Sequence, residues 1–357
     1  MAMIMDKRKR LQDNTDMTLP YSLYVEEQVL HTEYEHIFKK SWQYVGHEAL
    51  VEKPGDFITC TIADEPIVIV RGNDHEVRAF YNVCPHRGTK LVQDEAGSKK
   101  IFQCMYHGWT FHLNGSLHQA PNFKGATGFC AQDHCLKSVH IAIENSLMFV
   151  NLSEDPIPLA QEFADFFNDL KQFNFLSELS LYHTEQRIIH CNWKTFIDNY
   201  LECDHCPIAH PGFVSTLDMT KYQIMNRDKC NIQGSNVKET RTDLGDAEVR
   251  EGRFYWLWPN VMFTIYPGPG NFRSIQMIPI DAETTLGIYS VYVKGVEPTE
   301  EQKQLIAFAK TVADEDVDLV ELQQVGLRSS AFRQGVYSPT EHGLRLFHGL
   351  VREALNS

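Results

Sequence analysis

Length, composition and charge set the first limits on this chain. It has 357 residues, of which 43% are hydrophobic, so it can form one large globular domain or two ordinary ones. Its formal net charge of -14 argues against nucleic acid as a partner, because phosphate binding needs clustered Lys and Arg. No apolar run approaches the length that spans a membrane, which argues against a transmembrane protein.

The N-terminal segment predicts a frayed tail followed by one helix. Residues 1–17 are polar, and apolar residues recur at helical spacing over about 25–40. The basic cluster within residues 7–10 has no apolar stretch after it, so it does not resemble a secretory signal. We assign residues 1–44 to this tail and to a helix that packs on the larger C-terminal domain.

Short β runs separated by turn signals follow between about residue 45 and residue 155. Asn114-Gly115 is a strong hairpin signal directly after one of these runs. We predict a small antiparallel β domain over 45–155. Its predicted strands cover 57–62, 66–71, 77–83, 101–104, 109–113, 136–143 and 146–152.

The remaining residues, 156–357, predict a larger domain with an antiparallel sheet flanked by helices, so the whole chain is of the α+β class. Predicted helices cover about 159–173, 193–206, 299–312 and 317–333. Predicted strands cover 181–190, 254–258, 261–266, 274–278 and 286–293.

The nine cysteines are odd in number and irregular in spacing, unlike a secreted disulfide framework. We therefore expect a reduced, cytoplasmic protein whose cysteines are either buried or bound to metal.

Two cysteines and two histidines in the β domain form the first metal pattern. Cys84-x-His86 is followed after seventeen residues by Cys104-x-x-His107, and a glycine comes soon after each histidine. Two thiolates on one iron and two imidazoles on the other are what a Rieske-type 2Fe–2S cluster requires. Zinc also takes such ligand sets, but its familiar pairs are Cys-x2–4-Cys and His-x3–5-His. The pattern favours a Rieske cluster over zinc, and zinc over coincidence.

The second metal pattern lies between Asn199 and His210. On a helix, Asn199, Glu202 and His205 fall on one face, whereas His210 lies about 140° further round. Pro207 is expected to end or kink the helix near Cys206 and to let His210 fold back. Two imidazoles with a carboxylate from elsewhere in the chain could then hold a ferrous ion by one face.

The two patterns together carry a family resemblance. The segments Cys84-Pro85-His86-Arg87-Gly88 and Cys104-Met105-Tyr106-His107-Gly108-Trp109 resemble the cluster-binding motifs of Rieske proteins. Combined with Asn192-Trp193-Lys194 and the stretch from Asn199 to His210, they resemble the α subunits of Rieske non-haem iron oxygenases, over nearly the whole chain.

The resemblance implies the rest of the metal sites. The third iron ligand is expected in the acidic run after residue 313, where Asp316 is preferred over Asp314 and Glu315. Glu202 is expected to hydrogen-bond both an iron-ligating histidine of its own subunit and a cluster histidine of a neighbouring subunit, and so to carry electrons. Glu202 and Asn199 are thus the predicted catalytic residues. Asp204 stands where many relatives have an aromatic residue.

The implied activity is that of a terminal oxygenase with a 2Fe–2S cluster and Fe(2+). Electrons would come from NAD(P)H through a flavin or ferredoxin type of reductase, and the assembly would be a homotrimer. The enzyme would insert one or both atoms of O2 into a small substrate. The rival from another class is a Rieske electron carrier, which leaves about 200 residues and both histidines of the second pattern unexplained.

The stretch around His205 and the segment Trp256-Leu257-Trp258-Pro259-Asn260 resemble the oxygenases of quaternary ammonium compounds such as carnitine, choline and betaine. Trp256, Trp258 and Tyr266 are candidate substrate-binding residues, because aromatic faces attract a trimethylammonium group. The alternatives are that these aromatics only fill a sheet core, and that the substrate is aromatic, with ring hydroxylation or O-demethylation as the reaction. A carboxylate on the substrate would require an Arg or Lys that the sequence alone does not single out.

Overall fold

The computed structural model describes residues 16–244, 247–295 and 297–356. Most of the predicted N-terminal tail, residues 1–15, lies outside this description. The chain forms two compact units, one from Phe38 to Leu159 and the other from the segments on either side of it. Within the described ranges, no helix is both long and apolar enough to cross a membrane.

The smaller unit contains two antiparallel sheets. Its strands are β1 Gln43–His47, β2 Asp56–Ile62, β3 Glu65–Arg71, β4 Val77–Tyr81, β5 Ala96–Ser98, β6 Phe102–Gln103, β7 Thr110–Phe111, β8 Leu117–Gln119, β9 Ser138–Glu144 and β10 Leu147–Asn151. Seven of them pair in the order β1-β10-β9-β4-β3-β2-β5, and three short strands form a second sheet in the order β6-β7-β8. The predicted hairpin at Asn114-Gly115 joins β7 to β8.

Strand β3 is buried on both faces, which explains its continuous run of branched apolar residues. Ile67 and Ile69 point into one hydrophobic cluster of this unit. Val68 and Val70 point into another, which also contains Cys84 and Cys104. The two metal-pattern loops are therefore anchored on one face of this strand.

The larger unit is built on one antiparallel sheet. Its strands are β11 Leu179–Ile189, β12 Gln223–Asn226, β13 Cys230–Asn236, β14 Glu251–Leu257, β15 Val261–Ile265, β16 Asn271–Asp281 and β17 Thr284–Lys294. They pair in the order β11-β17-β16-β15-β14-β13-β12. All four strands predicted between residues 254 and 293 are present, although β16 and β17 are longer than predicted.

Nine α-helices are described, and all of their residues except Leu159 belong to the larger unit. They are α1 Ser22–Val25, α2 Glu27–His36, α3 Leu159–Glu162, α4 Ala164–Leu170, α5 Trp193–Tyr200, α6 Cys206–Ala209, α7 Pro211–Thr216, α8 Glu300–Leu327 and α9 His342–Asn356. Short 3-10 helices cover Phe38–Lys40, Glu48–Val51, Ala131–His134, Asn174–Glu178, Met219–Lys221 and Thr242–Leu244.

The two predicted C-terminal helices are in fact one helix, α8, of 28 residues. It begins with a capping box, in which Thr299 and Gln302 satisfy each other's backbone N–H groups. The sequence pattern predicts two helices because acidic residues interrupt the apolar period near residue 315. Those residues face a polar site, as described below, so the helix continues through them. Helix α9 was not predicted.

Hydrogen bonds fasten α8 to the segment that leads into α5. The Gln324 side chain accepts from the Asn192 backbone N–H at 2.9 Å, and Glu321 accepts from the His190 backbone N–H at 2.8 Å. Asn192 caps α5, because its side-chain oxygen accepts from the Lys194 N–H. The middle of α8 is thus held beside the C-terminal end of α5, where the second metal pattern begins.

Candidate active site

The histidines of the second pattern lie at helix ends rather than on one helix. Helix α5 ends at Tyr200, so the prediction of a helix as far as Cys206 is wrong. Pro207 lies in the first turn of the short helix α6, where a missing N–H costs nothing, and does not terminate a helix as predicted. His205 precedes α6, and His210 lies between α6 and α7. Two short helices therefore bring the imidazoles together.

His205, His210 and Asp316 converge on one point. The Nε2 atoms of the histidines are 3.2 Å apart, and Asp316 Oδ1 lies 3.0 Å from His210 Nε2 and 3.6 Å from His205 Nε2. Ligand atoms about 2.1 Å from one ion and at right angles are about 3 Å apart, so the three atoms fit one face of an ion. Among the described residues, this is the one group of three or more His, Cys, Asp and Glu side chains with such spacing.

Each histidine of this triad is held at its other ring nitrogen by a glutamate. His205 Nδ1 contacts Glu202 Oε1, and His210 Nδ1 lies 2.7 Å from Glu315 Oε2. A carboxylate at Nδ1 favours the tautomer that leaves Nε2 free to bind metal. Burial lowers the pKa of His205, but Asp316 and Glu202 outweigh this effect and raise it to about 9.

The three acidic candidates in α8 point to different partners. Asp316 also accepts a 2.7 Å hydrogen bond from Asn199 Nδ2, which orients its carboxylate. Burial raises the pKa of Asp316, but both histidines and Asn199 outweigh it and hold that pKa below its usual value. Asp314 instead binds Arg187 and Lys310. The structure therefore places Asp316 at the histidines, Glu315 behind one of them, and Asp314 outside the site.

Asp204 has a structural explanation. Its carboxylate accepts hydrogen bonds from the Ser338 hydroxyl at 2.8 Å and the Thr340 hydroxyl at 2.5 Å. These residues form the turn before α9, so Asp204 ties the loop that carries Glu202 and His205 to that turn. Phe and Trp have no side-chain acceptor for these two hydroxyl groups.

The triad lies at one side of a cavity between the sheet and helix α8. Four aromatic side chains of its wall pack on one another: the Phe254 ring centroid is 5.3 Å from that of Phe213 and 5.4 Å from that of Tyr266, and Tyr222 packs beside Phe213. The lining residues are Phe196, Asn199, Tyr200, Glu202, Cys203, His205, Cys206, His210, Phe213, Tyr222, Phe254, Thr264, Tyr266, Arg273, Ile275, Ala309, Val312, Ala313 and Asp316.

Of the three predicted substrate-binding residues, only Tyr266 lines this cavity. The prediction for Trp256 and Trp258 is corrected, because neither residue lines the cavity. Their rings lie 5.6 and 6.1 Å from the ring of Phe347 in α9, in a separate part of the core. Trp256 shares the face of Phe254, but it lies two residues further along β14 and so falls under α9 rather than at the cavity.

Sequence reasoning missed Phe213, Tyr222, Thr264 and Arg273 as cavity residues. Arg273 had a signal that could have been used. It is the only charged residue between Asn271 and Ile280, in a segment that otherwise reads as a buried strand.

The first metal pattern forms two loops with matching backbone hydrogen bonds. Gly88 N–H donates to Cys84 O, and Gly108 N–H donates to Cys104 O, both at 3.0 Å. Both cysteines are buried, and the His86 and His107 ring centroids are 4.6 Å apart. Burial and the neighbouring Cys104 raise the pKa of the Cys84 thiol to about 11. Each loop offers one Cys and one His, which is the ligand set of a two-iron Rieske cluster.

The cysteine expectation needs correction. Cys203 and Cys206 form a disulfide on either side of His205. Cys130 and Cys135 are free and exposed, so they are neither buried nor part of a metal pattern. They flank a short 3-10 helix, Ala131–His134, and the spacing of the cysteines does not predict that these two are exposed.

Comparisons with known proteins agree with this architecture. Residues 41–138 match the Rieske [2Fe-2S] domain family, and residues 176–357 match the ring hydroxylating alpha subunit (catalytic domain) family. The carnitine monooxygenase oxygenase subunit of Acinetobacter pittii is 35% identical over 349 residues, covering 94% of each chain. The choline monooxygenase of Arabidopsis thaliana is 30% identical over 95% of this chain and 83% of its own length.

A solved structure gives the same result. The quaternary ammonium Rieske monooxygenase CntA in complex with L-carnitine matches with a TM-score of 0.85 at 34% identity, over 96% of this chain and 97% of that one. The chain thus belongs to the Rieske non-haem iron oxygenases, as an oxygenase alpha subunit with a 2Fe–2S cluster domain and a catalytic domain for mononuclear iron.

Proposed function

We propose that His205, His210 and Asp316 hold the mononuclear iron and that Cys84, His86, Cys104 and His107 hold the 2Fe–2S cluster. The convergence of two Nε2 atoms and one carboxylate oxygen in a cavity wall is the observation that carries the proposal. When bound, the iron supplies activation of O2 and the cluster supplies single electrons.

The chain's own residues orient these centres. Glu202 fixes the His205 ring through Nδ1 and is the proposed entry point for electrons from the cluster of a neighbouring subunit. Glu315 fixes the His210 ring in the same way. Asn199 holds the Asp316 carboxylate, which keeps one of its oxygens directed at both histidines.

The proposed substrate is a small quaternary ammonium compound. Phe213, Tyr222, Phe254 and Tyr266 offer ring faces to a trimethylammonium group, which is worth about 1–2 kcal/mol when the group is desolvated. The Acinetobacter pittii relative is named for carnitine, and CntA is described with L-carnitine as its substrate. The two carboxylates in the lining, Glu202 and Asp316, contact the histidines, so cation–π attraction is the main recognition proposed for the ammonium group.

The proposed reaction hydroxylates the carbon beside the nitrogen. One oxygen atom enters the C–H bond, and the other leaves as water with two electrons and two protons. The resulting carbinol then breaks its C–N bond: the bonding electrons and the hydroxyl proton go to the amine, and an aldehyde remains.

The wider assembly is also a proposal. A flavin or ferredoxin type of reductase would pass electrons from NAD(P)H to the cluster, in a cytoplasmic homotrimer whose ring closes through repeated head-to-tail interfaces. The proposed division is residues 1–44 for the tail and first helix, 45–155 for the cluster domain and 156–357 for the catalytic domain. Size-exclusion chromatography with light scattering tests the trimer.

Turnover with a surrogate reductase tests the substrate. The purified enzyme is given L-carnitine, glycine betaine, proline betaine and a panel of aromatic acids, and the amine and aldehyde products are measured. Amine release from one of the ammonium compounds is expected. Product from an aromatic acid alone would refute the quaternary ammonium proposal and favour ring hydroxylation or O-demethylation.

A further inference from the structure

Three residues form a row across the sheet on its cavity face. Phe254 on β14 lies directly opposite Thr264 on β15, and Thr264 lies directly opposite Arg273 on β16. Residues opposite each other on antiparallel strands point to the same face. All three line the cavity that contains the iron triad. The row therefore places a cation and a hydroxyl beside the aromatic wall.

Arg273 is buried without a protein partner. Only 7% of it is exposed, and within the described ranges its guanidinium makes no hydrogen bond or ion pair. Thr264 beside it is 2% exposed, and its hydroxyl also has no partner there. Buried donors without acceptors are destabilising, the more so when charged, so two neighbouring ones call for a ligand.

The acids around the cavity are already engaged. Asp316 contacts both histidines and Asn199, Glu202 contacts His205, and Glu315 contacts His210. The nearby Arg187 differs from Arg273, because it is paired with Glu185 and Asp314. Burial lowers the pKa of Arg273, as expected for a cation removed from water.

We infer that Arg273, with Thr264, binds the carboxylate of the substrate, so the enzyme is specific for zwitterions that carry a quaternary ammonium group at one end and a carboxylate at the other. This inference rests on the proposed function for the ammonium end. A guanidinium matches a carboxylate through two parallel N–H donors, and the Thr264 hydroxyl is beside it to donate a third bond. Choline-type cations, which lack an acceptor of this charge, leave the buried guanidinium unpaired.

The wild-type enzyme gives the first test. L-carnitine and its carboxamide have nearly the same shape, but only the acid is an anion at that end. We expect kcat/KM to favour L-carnitine by roughly 100-fold, the size of a charge-assisted hydrogen-bonded pair. Equal use of acid and amide would overturn the inference, and this result does not depend on any variant folding.

Substitutions give the second test. Arg273→Gln should raise KM for L-carnitine roughly 100-fold and leave KM for the carboxamide within about threefold, and Thr264→Val should raise KM for L-carnitine roughly tenfold. Arg253→Gln is the matched control, because Arg253 lies on β14 next to Phe254, is paired with Asp169 and Glu251, and is absent from the cavity lining. It should change neither KM. Equal losses on both substrates in Arg273→Gln would mean a structural role and would overturn the inference.

Failure of the proposed function has a different outcome. If the wild type releases amine from no quaternary ammonium compound but oxidises an aromatic acid, the ammonium proposal fails. The same acid and amide comparison, made with that aromatic substrate, then tests Arg273 by itself. Preference for the aromatic acid that is lost in Arg273→Gln would keep the carboxylate site, and no preference would remove it.

Discussion

Two buried cations in the larger unit are treated in opposite ways. Lys194 at the start of α5 is fully buried, and its ammonium donates to Glu33 at 2.6 Å, while Trp193 Nε1 donates to the other oxygen of the same carboxylate. Arg273 in the cavity has no such acid. The first region is closed and serves the fold, whereas the second keeps its polar groups available to ligands. The contrast between these two cations is thus whether an acid of the protein pairs with them.

The largest expected effect is at the proposed iron site in the cavity. His205→Ala should reduce substrate oxidation below detection. Only His210 and Asp316 remain in this variant, and two ligands are too few to hold the iron by one face. The visible spectrum of the cluster should be unchanged, because the cluster is proposed to use other residues. His183→Ala, at an exposed position of β11, is the control and should keep full activity. Retained oxidation in His205→Ala would remove this residue from the iron site.

Substitutions at the buried pair of Lys194 and Glu33 should change the free energy of unfolding. Lys194→Met leaves the Glu33 carboxylate buried without a cation and should lower the free energy of unfolding by about 3–5 kcal/mol. The double variant Glu33→Gln with Lys194→Met should recover most of that loss, because neither residue is then charged. Urea unfolding followed by tryptophan fluorescence measures both.

The control for this stability experiment is Lys303→Met, which removes an exposed lysine from its pair with Glu300. No measurable change is expected there. If the double variant is as unstable as Lys194→Met alone, the destabilisation does not come from the unpaired Glu33 charge.

Substitutions of Glu202 and Glu315, the two glutamates behind the histidines, should affect different properties of the enzyme. Glu202→Gln should keep both metals but slow electron delivery by about 10–100-fold, because the proposed bridge loses its charge. Glu315→Gln should weaken iron retention and leave the rate of electron delivery unchanged when iron is supplied. Single-turnover reoxidation of the reduced cluster in the presence of substrate distinguishes them. Normal turnover in Glu202→Gln would remove the bridge from the account.

The smallest expected effect is at Asp204. Asp204→Ala loses the hydrogen bonds to Ser338 and Thr340, which are exposed, so it should cost at most about 1 kcal/mol of stability. The KM for substrate should stay the same, because Asp204 is not part of the cavity lining. A large change in KM with unchanged stability would contradict the structural role.

Much of this architecture is predictable from local pattern. Most strands of the three sheets follow from alternation and turn residues, and the hairpin at Asn114-Gly115 follows from its turn chemistry. Strands β1, β5, β8, β12 and β13 were not predicted. His205 and His210 are identifiable because few residue types bind iron and because their spacing is short. The identification of the family rests on both motif sets occurring in one order.

Other features depend on the directions in which side chains point, which the spacing of residues in the sequence does not determine. Asp314, Glu315 and Asp316 are neighbours in sequence, but successive residues of α8 point about 100° apart, so one meets Arg187 and another meets the histidines. Trp256 and Phe254 share a face of β14, yet only Phe254 lies under the cavity. The role of Pro207 was misjudged because a proline fits the first turn of a new helix as well as the end of an old one.

One chain is expected to hold a two-iron cluster and a separate mononuclear iron. Metal analysis of the purified protein, combined with EPR of its reduced form, measures both. We expect three irons per chain and the signal of a reduced Rieske cluster, with two irons and the same signal in His205→Ala. Two irons in the wild type with no further loss in His205→Ala, or zinc in place of iron, would contradict it.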